Sequence, residues 1–541
     1  METEDRRAPK PALDHLTFWP AILVVLALSI PLALYPESSS EMIGRLLAAV
    51  TSRFGWLFLL FGITSLVFLL WLALGRYGNI RLGARGDRPE FSNVSWVAMM
   101  FCAGIGIAIV NWAFVEPLYF LSRPPLGIEA HSSTAVEWAA MYGQFHWGFI
   151  PWAIYTLATV PVAYAIYVRR LPFLRISTSC KGILGDKADG WLGAAIDLTV
   201  ILSIMGGVGT SLGLAVPLVS ALISELFGVR DSLLLNLGIL LFWTLLFGYS
   251  TYKGLNRGIK RLSDINIVLS LGLLIFVLLA GPTFFLLKLW TNSLGLFWDN
   301  LFRISTWTDP VNQGGFPEEW TVFYWAWWVA YTPMMGLFIA RISRGRTIKE
   351  VILNEIGWGA LGSMAFFAIW GGYALYIDTH AIAPLSEILS SRGIPSTVVA
   401  VLQTLPGGAL TLAAFTVLAF IFLATTLDSS AYTLASVSTR NLTGYQEPAR
   451  WNRLVWALAI GILASGLVMV GGLEAVRMST ILFALPMILG LVILCWSLLS
   501  WLRMDFGEAL RSPAYVLDET AAGKAVVQVD HTHRKGTGVS S

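Results

Sequence analysis

Two short stretches of this 541-residue chain concentrate groups that can hold a permanent cation, HWGFIPWAIY (146–155) and YWAWWVAY (324–331). A trimethylammonium or dimethylsulfonium group has no N–H, so hydrogen bonds cannot seat it. The faces of tryptophan and tyrosine can, at about 2 kcal/mol or more per desolvated ring. An interfacial belt accounts for one or two such rings at a helix end. Three tryptophans in the four residues 325–328 exceed that.

A second constellation is polar. FLATTLDSS (422–430) puts the adjacent hydroxyls of Thr425 and Thr426, then Asp428, at the end of an apolar run. Polar groups at membrane depth are costly and mark ion or substrate paths, and threonine oxygens are hard ligands of the kind an alkali cation takes. The alternative is that both hydroxyls bond back to their own helix and that Asp428 caps the next segment. The glycines of AGIGIA (103–108), Gly104 and Gly106, and later Pro333 and Gly336, interrupt two further apolar runs. Broken membrane helices expose N–H groups to an anion and carbonyls to a cation. Paired glycines equally serve close helix packing. His146 reads as a hydrogen-bonded structural histidine, and Asp197 as the partner of a neighbouring polar group.

The elements that must position these groups are membrane helices. The chain is 56% hydrophobic and only 13% charged, against about 25% charged in soluble domains; its mean hydropathy is +0.69. A net charge of +3 gives no case for nucleic-acid binding. Three scattered cysteines define neither a disulfide framework nor a metal site, and no cleavable signal peptide is evident. Neither a zinc-protease motif nor clustered histidines nor a nucleophile motif argues for an enzyme.

Apolar runs predict twelve spans, near 16–34, 54–74, 96–115, 139–168, 191–226, 232–250, 265–287, 321–340, 355–377, 408–427, 454–471 and 480–502. Alternate loops hold 20 and 8 lysines and arginines, which places both termini in the cytoplasm. The interrupted third and eighth spans lie five apart, so the pattern reads as two five-helix repeats. The resulting organisation is a cytoplasmic tail (1–15), two peripheral helices (16–95), a first repeat (96–287) and a periplasmic loop (288–320) with a surface helix at 292–304. A second repeat (321–502) and a largely unstructured cytoplasmic tail (503–541) follow.

At these residues the chain resembles the betaine/choline/carnitine transporter family. The matching stretches are AGIGIAIVNWAFVEPLYF (103–120), FHWGFIPWAIYT (145–156), TSLGL (210–214), YWAWWVAYTP (324–333), FIARISRGRTIKE (338–350) and the TTLDSS ending. The resemblance implies an all-α integral membrane protein of the leucine-transporter-like fold, with an inverted 5+5 repeat of spans 3–7 and 8–12 behind two extra helices, assembled as a homotrimer in the bacterial inner membrane. It implies an aromatic box of Trp147, Trp152, Tyr155 and Trp328, with Trp325, Trp327 and Tyr331 along the substrate path. It also implies a sodium site of Thr425 and Thr426 completed by carbonyls near Cys102, Ile105 and Phe422.

Some positions depart from the family pattern. Tyr331 stands where trimethylammonium transporters usually carry tryptophan. Asn111 stands where an apolar or aromatic residue is usual, and either bonds a polar group of the substrate or is satisfied within its own helix. Ile204 and Val208 replace the hydroxyls of a second sodium site, and Asn266 lies in a stretch without the arginine of sodium-independent exchangers. The expectation is a sodium-coupled importer, without other cofactor, of a small zwitterion such as glycine betaine or dimethylsulfoniopropionate. Its carboxylate would sit on freed N–H groups around Gly104, Gly106 and Ala108. A proton-coupled choline importer and an ion-independent exchanger are the alternatives.

Overall fold

The computed structural model describes residues 11–84, 86–104, 106, 108–253, 256–443, 446–470, 472–506, 515–518 and 526–529. Helices α1 (His15–Leu34) and α2 (Pro36–Leu74) come first. The predicted third span is two helices, α3 (Asn93–Gly104) and α4 (Ala108–Ser122), separated at the glycine-rich segment. The fourth is also two, α5 (Ser133–Trp147) and α6 (Phe149–Tyr167), meeting at the non-helical Gly148. Short α7 (Ile176–Ser179) and α8 (Lys181–Leu184) lead to the long α9 (Trp191–Phe227), then α10 (Leu233–Lys253) and α11 (Asn256–Ala280).

The predicted seventh span stops short of its expected end. Gly281 and Pro282 end α11, and α12 (Thr283–Ser305) turns 109° away from it. Proline lacks the N–H that would continue the ladder. The helix expected at 292–304 is thus longer, running from Thr283 to Ser305 and leaving the direction of its predecessor.

The second half holds α13 (Phe323–Ile342), α14 (Ile348–Phe366), α15 (Gly372–Thr379), α16 (Leu385–Gln403), α17 (Gly408–Val437), α18 (Arg450–Val470) and α19 (Gly472–Phe506). Two expectations fail here. Helix α13 is unbroken through Pro333 and Gly336. The Thr332 hydroxyl, beside the proline, shares its hydrogen between the carbonyls of Trp328 (2.8 Å) and Ile154 (3.2 Å). Gly336 serves packing, because a Cβ there would collide with Ala158 of α6. Helix α17 likewise runs on to Val437, so Asp428 lies inside it rather than at the start of a new segment.

Among the described residues nine helical segments are long and apolar enough to cross a membrane, or ten if α11 and α12 count as one bent span. Helix α4 and Leu233–Leu246 of α10 are shorter apolar helices. The protein is an all-helical, multi-pass membrane protein. Helices α5, α6 and α13 are buried on nearly all sides, whereas α1 is largely exposed. A strap closes one end. Ala12–Leu13 pairs antiparallel with Thr439–Arg440, and Asp14 accepts from Arg175 (2.8 Å) and Arg440 (3.0 Å). Arg175 also reaches Asp197 at 2.7 Å, which gives Asp197 the polar partner expected of it. In the C-terminal segment, Tyr515–Asp518 pairs with Val526–Val529; the rest of it after Phe506 lies outside the described residues.

Candidate substrate site

Helix α13 packs along α6, and that crossing brings the aromatic stretches together. Trp147 meets Trp328 edge to face, with ring centroids 4.8 Å apart at 87°. Tyr155 meets the same Trp328 edge to face at 5.2 Å. Trp327 stacks beside Trp328 at 6.3 Å. Several of the rings are tethered by their polar edges. Trp328 donates to the His146 carbonyl at 3.1 Å, an acceptor that the α5–α6 break leaves free of a helical partner. Trp147 donates to Glu116 at 3.0 Å. The Tyr331 and Ser211 hydroxyls bond to each other at 2.7 Å, and Tyr331 lies so close to Gly207 that a Cβ there would come within 2.8 Å of its ring.

Trp147, Tyr155, Trp327, Trp328 and Tyr331 line one cavity of about 750 Å3. Gly104, Gly106, Ala108 and Thr426 share it. The cavity continues past Met334 and Phe338 to a mouth bearing Ser92, Arg341, Tyr432 and Glu447. Rings can take a cation, and the first turn of α4 presents N–H groups to an anion at the same cavity.

Three residues expected at the site stand elsewhere. Trp152 backs the cavity rather than lining it. Its indole N–H bonds Ser363 at 3.1 Å, and its ring covers Gly104 so closely that a Cβ there would lie 2.5 Å from it. Trp325 turns to the opposite face of α13, against Gly62 of α2 and the rings of Phe145 and His146. Asn111 is buried and off the cavity, and its amide has no hydrogen-bond partner among the described residues.

The ion donors converge in part. Thr426 donates to the Phe422 carbonyl at 2.9 Å, which is the back-bonding alternative, yet its oxygen also lies 2.9 Å from where a Cβ on Gly106 would stand. A hydroxyl of α17 therefore abuts the break between α3 and α4. Ile105 and the side chains of Thr425 and Cys102 lie outside the described residues.

Sequence reasoning missed Glu116. This fully buried carboxylate accepts from Trp147 and from the Tyr324 hydroxyl (2.7 Å) on one oxygen. Its other oxygen lies 2.7 Å from His146 Nδ1. The far nitrogen of His146 bonds Thr321 at 3.1 Å, so the histidine is a hydrogen-bonded part of this network. The signal was an acid inside an apolar run, just past the expected end of the third span.

A buried aromatic box on a cavity between membrane helices can hold a small organic cation. The model of the betaine/carnitine/choline family of transporters matches residues 16–507, and the chain belongs to that family. It is 35% identical to an uncharacterised transporter of Escherichia coli K12 over 81% of this chain and 91% of the relative. It is 31% identical to a carnitine transporter of Acinetobacter baumannii over 98% of this chain and 96% of that relative.

Proposed function

We propose that the chain imports a small zwitterion with a quaternary ammonium or sulfonium head, such as glycine betaine, dimethylsulfoniopropionate or carnitine, by sodium-coupled alternating access. The observation that carries this reading is the meeting of Trp147, Tyr155 and Trp328 around one cavity. The carboxylate would take the N–H groups that open α4, and sodium the oxygens around Thr426 and Phe422. The carnitine transporter among the relatives supports a trimethylammonium zwitterion.

The loop-charge bias makes the mouth at Arg341 and Tyr432 cytoplasmic, so this conformation is inward-facing. Counting the broken α3–α4 pair, α10 and the bent α11–α12 pair as spans gives twelve, read as two inverted five-helix repeats behind α1 and α2. Trimeric assembly in a bacterial inner membrane, with both termini cytoplasmic, completes the reading.

The test is uptake of labelled betaine, choline, carnitine and dimethylsulfoniopropionate into proteoliposomes, with and without a sodium gradient. Wild type, Trp328→Leu and Thr426→Ala are compared. Undiminished uptake by Trp328→Leu would overturn the cation box, and sodium-independent uptake by wild type would overturn the coupling.

A further inference from the structure

Glu355 is another buried carboxyl, outside the network of Glu116. It sits two turns into α14, 0% exposed. Thr159 donates to its Oε1 at 3.1 Å. Its Oε2 is buried and has no hydrogen-bond partner among the described residues. The Thr156 hydroxyl faces the same carboxyl but gives its hydrogen to the Trp152 carbonyl at 2.7 Å. What the site lacks is a hydrogen, and the carboxyl can supply it as Oε2–H towards Thr156.

No basic group compensates a charge there. Among the described residues no lysine, arginine or histidine forms an ion pair with Glu355. On α6 the titratable groups are Tyr155, Tyr164 and Tyr167, with no charged residue from Phe149 to Tyr167. Helix α2 brings no titratable side chain between Gly55 and Leu74, and α3 brings only Cys102. Helices α4 and α5, with Glu116, Tyr119, Glu137, Tyr142 and His146, meet α14 further on, where Gly143 faces Phe367 and Gly148 faces Met364. Lys349 and Glu350 are in the exposed first turn. The contrast is with Glu116, whose two oxygens face His146, Trp147 and Tyr324. Environment sets the charge of a buried carboxyl, and a single hydroxyl donor does not hold an anion in an apolar seam.

We propose that Glu355 is a proton-binding site of the transport core, holding a proton while α14 and α6 are packed as here. The seam bears on the cavity. Glu355, Gly359 and Ser363 form one stripe of α14, spaced i, i+4 and i+8. Gly359 has no room for a Cβ beside the Trp152 indole, and Ser363 takes the indole N–H. Trp152 in turn covers Gly104. A charge at Glu355 wets or parts this seam, so alkaline pH slows the transport cycle. That consequence rests on the transporter reading above; occupancy by the proton does not.

Dicyclohexylcarbodiimide enters apolar sites and attacks a carboxyl only when it is protonated, leaving an N-acylurea that peptide mass spectrometry locates. In wild-type proteoliposomes the Glu355 peptide should be modified near neutral pH, with modification falling as the pH is raised. Thr159→Val, which removes the donor to the ionised form, should carry modification to higher pH. Initial uptake of labelled glycine betaine should fall several-fold over the alkaline range in wild type and much less in Glu355→Gln. Modification of Glu116 with none at Glu355 would overturn the proton site. Equal alkaline losses in wild type and Glu355→Gln would overturn its link to transport. The labelling needs no substrate, so a wrong substrate assignment leaves it standing.

Discussion

The Glu116 carboxylate accepts the indole N–H of Trp147 at 3.0 Å, and the same ring lines the cavity. The hydrogen bond fixes the ring's orientation and adds electron density to the face a cation would touch. Glu116→Gln keeps the shape but replaces one acceptor oxygen by an N–H donor, so a partner among Trp147, Tyr324 and His146 is lost. A hydrogen bond contributes about 0.5–1.5 kcal/mol, so substrate affinity should fall by roughly 2- to 10-fold. Binding isotherms read by tryptophan fluorescence check this, and unchanged affinity would refute it.

Trp328 and Trp325 are three residues apart on α13 yet should behave differently. Trp328 lines the cavity, whereas Trp325 packs against Gly62. Trp328→Leu loses a desolvated cation–π contact of about 2 kcal/mol, or roughly 30-fold in affinity. Trp325→Leu should leave affinity within about threefold and lower thermal stability instead, since truncating a buried ring costs about 3 kcal/mol or more. Competition binding and thermal unfolding separate the two.

Gly336 and Gly359 are filled by neighbours, the first by Ala158 and the second by the Trp152 indole. Overpacking costs about 1–3 kcal/mol. Gly336→Val or Gly359→Val should therefore lower the melting temperature in detergent, while Gly357→Ala, where a Cβ meets nothing within 4 Å, should not.

Asp87 lies in the loop after α2. Burial alone would raise its carboxyl; the Arg344 guanidinium, the Ala84 N–H and the Arg170 charge outweigh that and hold it below the ordinary carboxylate value. The folded state thus favours the anion. Its contribution is present above the unfolded carboxylate value, near 3.9, and is lost as pH falls through the lower folded value. Wild type should unfold at a higher temperature than Asp87→Asn near neutral pH, and the gap should close on acidification.

The break at Gly104–Ala108 and the aromatic density of α5, α6 and α13 were legible because clustered glycines and tryptophans have few other uses in a membrane helix. Pro333 was misread. Proline removes one N–H, but whether the helix breaks depends on what holds the turns around it, and here the Thr332 hydroxyl ties the Trp328 carbonyl of its own helix to the Ile154 carbonyl of α6. Glu116 was missed because a carboxylate's donors come from residues 30, 31 and 208 positions away.

The sequence by itself determined that this chain crosses a membrane many times, carries two aromatic-rich stretches and belongs with the betaine/carnitine/choline transporters. Those are properties of composition and local order. Only the tertiary structure decided which rings share the cavity. Trp147, Tyr155, Trp327, Trp328 and Tyr331 do; Trp152 and Trp325 do not. A ring's direction depends on its helix's rotation and on where its N–H finds an acceptor. Both are set by close contacts such as Gly336 on Ala158, between residues far apart in the chain.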